Sequence, residues 1–338
     1  AYRRQFFDGC SANGVSEETT QKIWEMMLSF DGYSFCKPHS ASYAMVSFQS
    51  AYLRVHHPAH FMAAVLSNQG GYYRSQAYIS EAQRMGIRIE GPDLNLSRIA
   101  YHARGNTLFI GLMAIANLTM QAKMQIVGER KRRGAFSDLK DASSRLNLCR
   151  EDWVSLVESG CCDSLALQYR RSEQLRILLT NSARKIESDQ LELFARPNQV
   201  ARHERALVQV RRTEDELHRE FSALGFLRAS HPLLLWSQYL RGLARVKASE
   251  LGRYKGRYVN LIGYQITQKQ VMTKGGQSMS FVSFEDETAL YETVLFPDLY
   301  QRYYPLLSSL WPLVVFGLVQ DDQGALVVEV QHLKKVGS

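Results

Sequence analysis

At Tyr258 the spacing of apolar residues changes from a period near 3.6 to a period of 2, and it keeps that period through Leu333. A helix cannot satisfy the second pattern, nor a strand the first, so the chain divides into a helical part and a later all-β part. Five strand candidates follow the change: YVNLIGYQITQKQVM, SMSFVSFEDE, LYETVLF, LVVFGLVQ and ALVVEVQHL. Gly-Gly, Glu-Asp-Glu and Asp-Asp-Gln-Gly separate them, and a short helix around PDLYQRYYPLLSSL stands between the third and the fourth. That is the element order of an OB-fold, a five-stranded barrel. Such barrels commonly bind single strands through the face of strands two and three and the loop joining the first two.

Upstream of the barrel the pattern is helical. Ser16 suits an N-cap, Glu17 and Glu18 suit a first turn, and Ile23, Met27 and Phe30 mark one face before Asp31-Gly32. A longer helix fits between Pro38 and Pro58, with Tyr43, Val46, Ser50 and Leu53 on one side; Pro58 opens HFMAAVLSNQ, and YYRSQAYISEAQRMG ends at Gly86. GPDLN reads as a turn. From about 96 to 185 the chain reads as short helices joined by tight turns, in two units: GLMAIANLTMQAKMQIVGER, and REDWVSLVESGCCDSL with Gly160 at a helix end. Paired helix-hairpin-helix units present backbone N–H groups to phosphates. Here the first hairpin, where Gly-x-Gly is expected, is Asn117-Leu118-Thr119, and a Cβ at each position holds a phosphate further away.

Charge and cysteine content narrow the function. The net charge is +8, and Lys123 to Arg150 holds eight bases against three acids, an excess of 8 − 3 = 5. Lys123, Arg130, Lys131, Arg132 and Arg133 are the candidates for duplex phosphate contact, against the plainer role of basic residues completing a helix C-terminus. Residues 253–338 carry eight bases and eight acids, yet Arg253, Lys255, Arg257, Lys269 and Lys274 gather at the barrel's start and first loop. Lys269 and Lys274 are the barrel's candidates for phosphate contact. Phe281 and Phe284 fall on opposite faces of one strand, so at most one can stack on a base; Tyr264 is open to either role. Five cysteines, odd in number, with a vicinal pair and no Cys-x-x-Cys, argue against a disulfide framework and a zinc site and for a reducing, cytoplasmic setting. His56 and His60 are spaced as metal ligands on a helix, but Pro58 interrupts it, and no metal is expected there.

The run FDGYSFCKPHSASYAMVSFQSAYLRVHHPAHFMAAVLS closely resembles the fingers of bacterial C-family DNA polymerases, the DNA polymerase III alpha type and its error-prone paralogues. Looser resemblance continues through GPDLNLS, GLMAIA, ESGCCDSL and LGFLRASHPL. It implies the end of the fingers over 1–95, a helix-hairpin-helix domain with the sliding-clamp contact over 96–200, a helical linker over 201–252 and an OB-fold over 253–338. It also implies that Lys37, His39 and, more weakly, Arg54 touch an incoming nucleotide's phosphates. The family's Asn-Lys-Ser-His stands here as Cys36-Lys37-Pro38-His39. Catalysis in the family uses magnesium held by palm carboxylates; this sequence has no Asp-x-Asp, so no catalytic residue and no cofactor is expected in it, and it reads as part of a longer polymerase or as a truncated relative of one.

QLELF at 190–194 lies in a polar stretch without apolar periodicity on either side. It is similar to the short motif by which bacterial polymerases dock on the sliding clamp. Leu193 and Phe194 would fill an apolar cleft, Leu191 would add a contact, and Gln190 would hydrogen-bond at the rim. The expected partners are therefore the clamp and double- and single-stranded DNA, with no membrane. Two other readings fit the residues: a non-polymerase module of helical hairpins and barrel in which QLELF only packs, and a clamp-interaction piece with a degenerate barrel.

Overall fold

The computed structural model describes residues 2–29, 37–69, 71–187, 213–273, 275–307, 311–322 and 324–337, with backbone only at 29, 37, 181–187 and 322. Its chain forms two compact units, residues 1–56 and 57–338. In the first, α1 (Tyr2–Ala12) and α2 (Glu17–Ser29) are joined through Gly14, and Phe6 and Phe7 lie 5.5 and 6.2 Å from the Trp24 ring. The Thr19 N–H donates to Ser16 Oγ, so Ser16 caps α2 as its sequence position suggests. Helix α3 (Lys37–His56) covers the expected span, and Tyr43, Val46 and Leu53 on it are exposed.

The second unit starts with α4 (Pro58–Asn68) and α5 (Ser75–Arg84). Next come three short strands, β1 (Arg88–Glu90), β2 (His102–Arg104) and β3 (Thr107–Phe109), in the order β1-β3-β2. Three-residue strands are too short to show a period of 2, and the sequence reading held only turns and helices there. Helices α6 (Met120–Arg133), α7 (Leu139–Arg145), α8 (Arg150–Glu158), α9 (Arg171–Glu187), α10 (Glu214–Leu224) and the short α11 (Ser237–Leu240) complete the helical part. One apolar core, with Ile126, Trp153, Leu156 and Leu178 fully buried, runs from Ala59 on α4 to Phe226 after α10. It passes without a break across residue 95.

All five expected strands form, as β4 (Tyr258–Met272), β5 (Ser278–Glu285), β6 (Leu290–Leu295), β7 (Leu313–Asp322) and β8 (Ala325–Lys335), with α12 (Pro297–Leu307) between β6 and β7. They close into a barrel in the order β4-β5-β6-β8-β7, with β7 returning to β4 through the pair Val259 and Gly317. Alternate residues fill the interior, among them Leu261, Val282, Phe284, Val315 and Val330, and Tyr300, Tyr303 and Leu307 of α12 join this core. Closure brings β7 very close to β8: a Cβ on Gly317 would lie 2.4 Å from the Glu329 carbonyl oxygen. The outer side of β4 is also covered, because Ile262, Tyr264 and Ile266 pack with Ala77 and Leu233 of the helical part. Arg84 of α5 donates to the fully buried Glu285 carboxylate at 2.9 Å. Among the described residues no helix is long and apolar enough to cross a membrane.

Candidate nucleic-acid interface

The first hairpin is built by local backbone chemistry. A 3₁₀ turn at Leu112–Ala114 leads to Asn117, which takes the left-handed conformation at φ 60°, and Thr119 then caps α6 by accepting from the Ala122 N–H at 3.1 Å. Asparagine supports that conformation where most side chains would not, so the turn forms without glycine. Its anion position is already occupied. Asp152 of α8, only 4% exposed, accepts from the Thr119 N–H at 2.9 Å and from its hydroxyl at 3.1 Å. A phosphate meeting this hairpin at Thr119 would face a carboxylate that already holds the Thr119 N–H. Sequence reasoning missed Asp152 because it lies 33 residues from Thr119 and is brought there only by packing.

The basic run divides into structural and available groups. Arg130 donates to the carbonyls of Leu94 and Ser97 at 2.7 and 2.6 Å, and thereby ties α6 to the segment before β2. Arg145 is likewise spent on Asp141 and on the carbonyls of Glu129, Gly134 and Ala135. Lys131, Arg132 and Arg133 are exposed at the C-terminal end of α6; Arg132 and Arg133 share the buried Glu129 carboxylate but keep most of their surface in solvent. Lys123 is half-buried, and burial pulls its ammonium below the ordinary lysine value, opposed by Asp152. The exposed positive charge of α6 therefore falls at residues 131–133.

On the barrel the alternation resolves the aromatic residues. Phe284 is fully buried, Phe281 is 40% exposed, and Lys269 on β4 stands directly opposite Phe281 in the strand register. A ring and an ammonium side by side suit a base and its phosphate. Tyr264 belongs to the packing, with its hydroxyl bonded to Trp236 Nε1. Of the basic residues at the barrel's start, Lys255 pairs with Asp321 at 2.5 Å, Arg253 pairs with Glu250 at 3.4 Å, and Arg257 is exposed. His39 stands edge-on to Tyr43 at 4.5 Å on α3, Arg54 lies further along that helix, and Lys37 begins it. Gln190, Leu191, Leu193, Phe194 and Lys274 lie outside the described residues. Helix α3 ends at His56 and α4 begins at Pro58, so His56 and His60 do not share one helix. Among the described residues no three His, Cys, Asp or Glu side chains converge as a metal cluster would require.

A family model described as helix-hairpin-helix motif matches residues 86–173, from the start of the small sheet to the first turn of α9. The chain is 30% identical over 333 residues to DNA polymerase III subunit alpha of Thermus aquaticus, covering 95% of this chain and 27% of that one. It is a homologue of the C-terminal region of DNA polymerase III alpha subunits. Error-prone polymerases match as well, including that of Anaeromyxobacter dehalogenans at 30% identity over 98% of this chain and 30% of its own. This polymerase homologue spans 27 to 31% of the length of the curated relatives it matches. A solved domain of replication protein A from Methanococcus maripaludis covers 28% of this chain and 96% of its own at 16% identity and a TM-score of 0.23. So slight an overlap adds nothing to the barrel topology seen directly.

Proposed function

We propose that this chain is the DNA-holding and clamp-tethering portion of a DNA polymerase III alpha-type enzyme. The observation that carries the reading is the combination, in one homologous chain, of a hairpin module with an exposed basic edge and a closed five-stranded barrel with Phe281 beside Lys269. Lys131, Arg132 and Arg133 hold duplex phosphates, and the β4–β5 face holds the single strand beyond the duplex. Gln190, Leu191, Leu193 and Phe194 dock on the sliding clamp, and Lys37, His39 and Arg54 serve the incoming nucleotide when the rest of a polymerase is present. Nucleotidyl transfer, with its magnesium, belongs to other parts of the full enzyme.

The clamp arm is tested by titration calorimetry against a bacterial sliding clamp. The intact chain should bind, and Leu193→Ala with Phe194→Ala should abolish binding while circular dichroism stays unchanged. Equal affinity of the two chains would return QLELF to the packing of its own module.

A further inference from the structure

Two cavities adjoin on the barrel side of the second unit, of about 520 and about 440 Å³, and Tyr304 of α12 lines both. Phe281 lines neither. The walls carry Tyr72, Arg74, Gln268, Gln270, Gln301 and Tyr304. Tyr72 is 63% exposed and Tyr304 54%. Each ring has an edge-on aromatic neighbour: Tyr73 for Tyr72 at 5.1 Å, itself meeting Tyr78 at 6.1 Å, and Tyr300 for Tyr304 at 5.8 Å, with Tyr73 and Tyr300 also in the lining. A neighbour of this kind holds a flat face ready and lowers the ordering cost of binding to it.

The chemistry of the walls is that of amides. Each glutamine offers both a donor and an acceptor, which matches the mixed edges of unstacked bases. Gln268 is oriented at both ends, donating to the Tyr300 hydroxyl and accepting from Gln265, each at 3.2 Å, and Gln270 by its bond to Ser278 at 3.0 Å. Arg74 supplies one positive charge and Asp298, on the same wall as Gln301, one negative charge. The groove is thus nearly neutral and selects for bases more than for phosphates. Two rings serving two adjoining cavities suit successive bases of one strand.

We propose that this groove, framed by Tyr72 and Tyr304, is a second binding site for single-stranded nucleic acid, separate from the Phe281 face and working by stacking and amide contacts. It rests on the DNA-holding reading above. The test is fluorescence anisotropy of a labelled oligothymidylate, and of a labelled duplex, on the full chain, with circular dichroism as the folding check. Replacing Tyr72→Ala or Tyr304→Ala should each weaken single-strand affinity by at least about fivefold, the loss of one base–ring stack. The salt slope should not change, and Tyr72→Phe and Tyr304→Phe should bind like the parent. Unchanged affinity in both alanine variants, with Phe281→Ala weakened, would overturn the groove and leave the DNA-holding reading standing. Duplex binding without single-strand binding would overturn the groove together with the single-strand half of that reading, and binding of neither would overturn both entirely.

Discussion

Glu220 is fully buried, and its carboxylate accepts from Arg171 at 2.9 Å and Arg228 at 3.0 Å. The same two guanidiniums reach Asp163 at 3.1 and 2.9 Å, so two cations and two anions close a compact cluster joining the turn after α8 to α9 and α10. They crowd over Gly160, where a Cβ would lie 2.3 Å from Arg228 Nη2. Removing one partner leaves buried charge uncompensated, so Arg228→Ala should cost about 3–5 kcal/mol in urea unfolding. Burial pushes the Asp163 carboxyl up, but Arg171 and Arg228 outweigh it and hold the group below the ordinary aspartate range. Its contribution is therefore present above its unfolded value of about 3.9 and is lost as pH falls through the lower folded value. In Asp163→Asn the thermal midpoint should lie below the parent's at pH 7 and converge on it in acid; a constant gap would contradict the assignment. Little of this was legible in the sequence, because the four residues are spread over 66 positions. What could be read were local rules: the Ser16 cap, Pro58 at a helix start, Gly160 at a helix end, and Phe281 and Phe284 on opposite faces of one strand.

At the scale of elements, legibility followed pattern length. Strands β4 to β8 and helices α2 to α5 each repeat a period often enough to be read, whereas β1, β2 and β3 span three residues each and carry no period at all. The first hairpin was legible as a turn but not as a closed one, since the Asp152 bond is tertiary. Arg130 was read with its basic neighbours, although the direction of its side chain commits it to the Leu94 and Ser97 carbonyls. Barrel closure makes its own demand, because β7 and β8 approach too closely at Gly317 for any side chain, and the obstructing atom is backbone. Gly317→Ala should therefore destabilise the barrel by roughly 1–3 kcal/mol or more, seen as a lowered urea midpoint with an unchanged slope. A variant as stable as the parent would mean that the two strands can part without loss.

Across the whole molecule, the hairpin module and the barrel share the second unit, and α5 and the segment after α10 pack on the barrel through Ala77 and Leu233 against Ile262, Tyr264 and Ile266. Arg84 adds an ion pair to Glu285 across the same junction. In the proposed reading, a basic edge for the duplex and aromatic faces for the single strand are carried on this one unit. The affinity of a primed duplex with a single-stranded overhang, titrated on the full chain at stepped salt, tests this division of labour most directly. The account predicts steep salt dependence in the parent, and a slope reduced by roughly 2 to 3 when Lys131, Arg132 and Arg133 are all replaced by alanine. Affinity that is flat with salt, or a slope the triple replacement leaves unchanged, would contradict it.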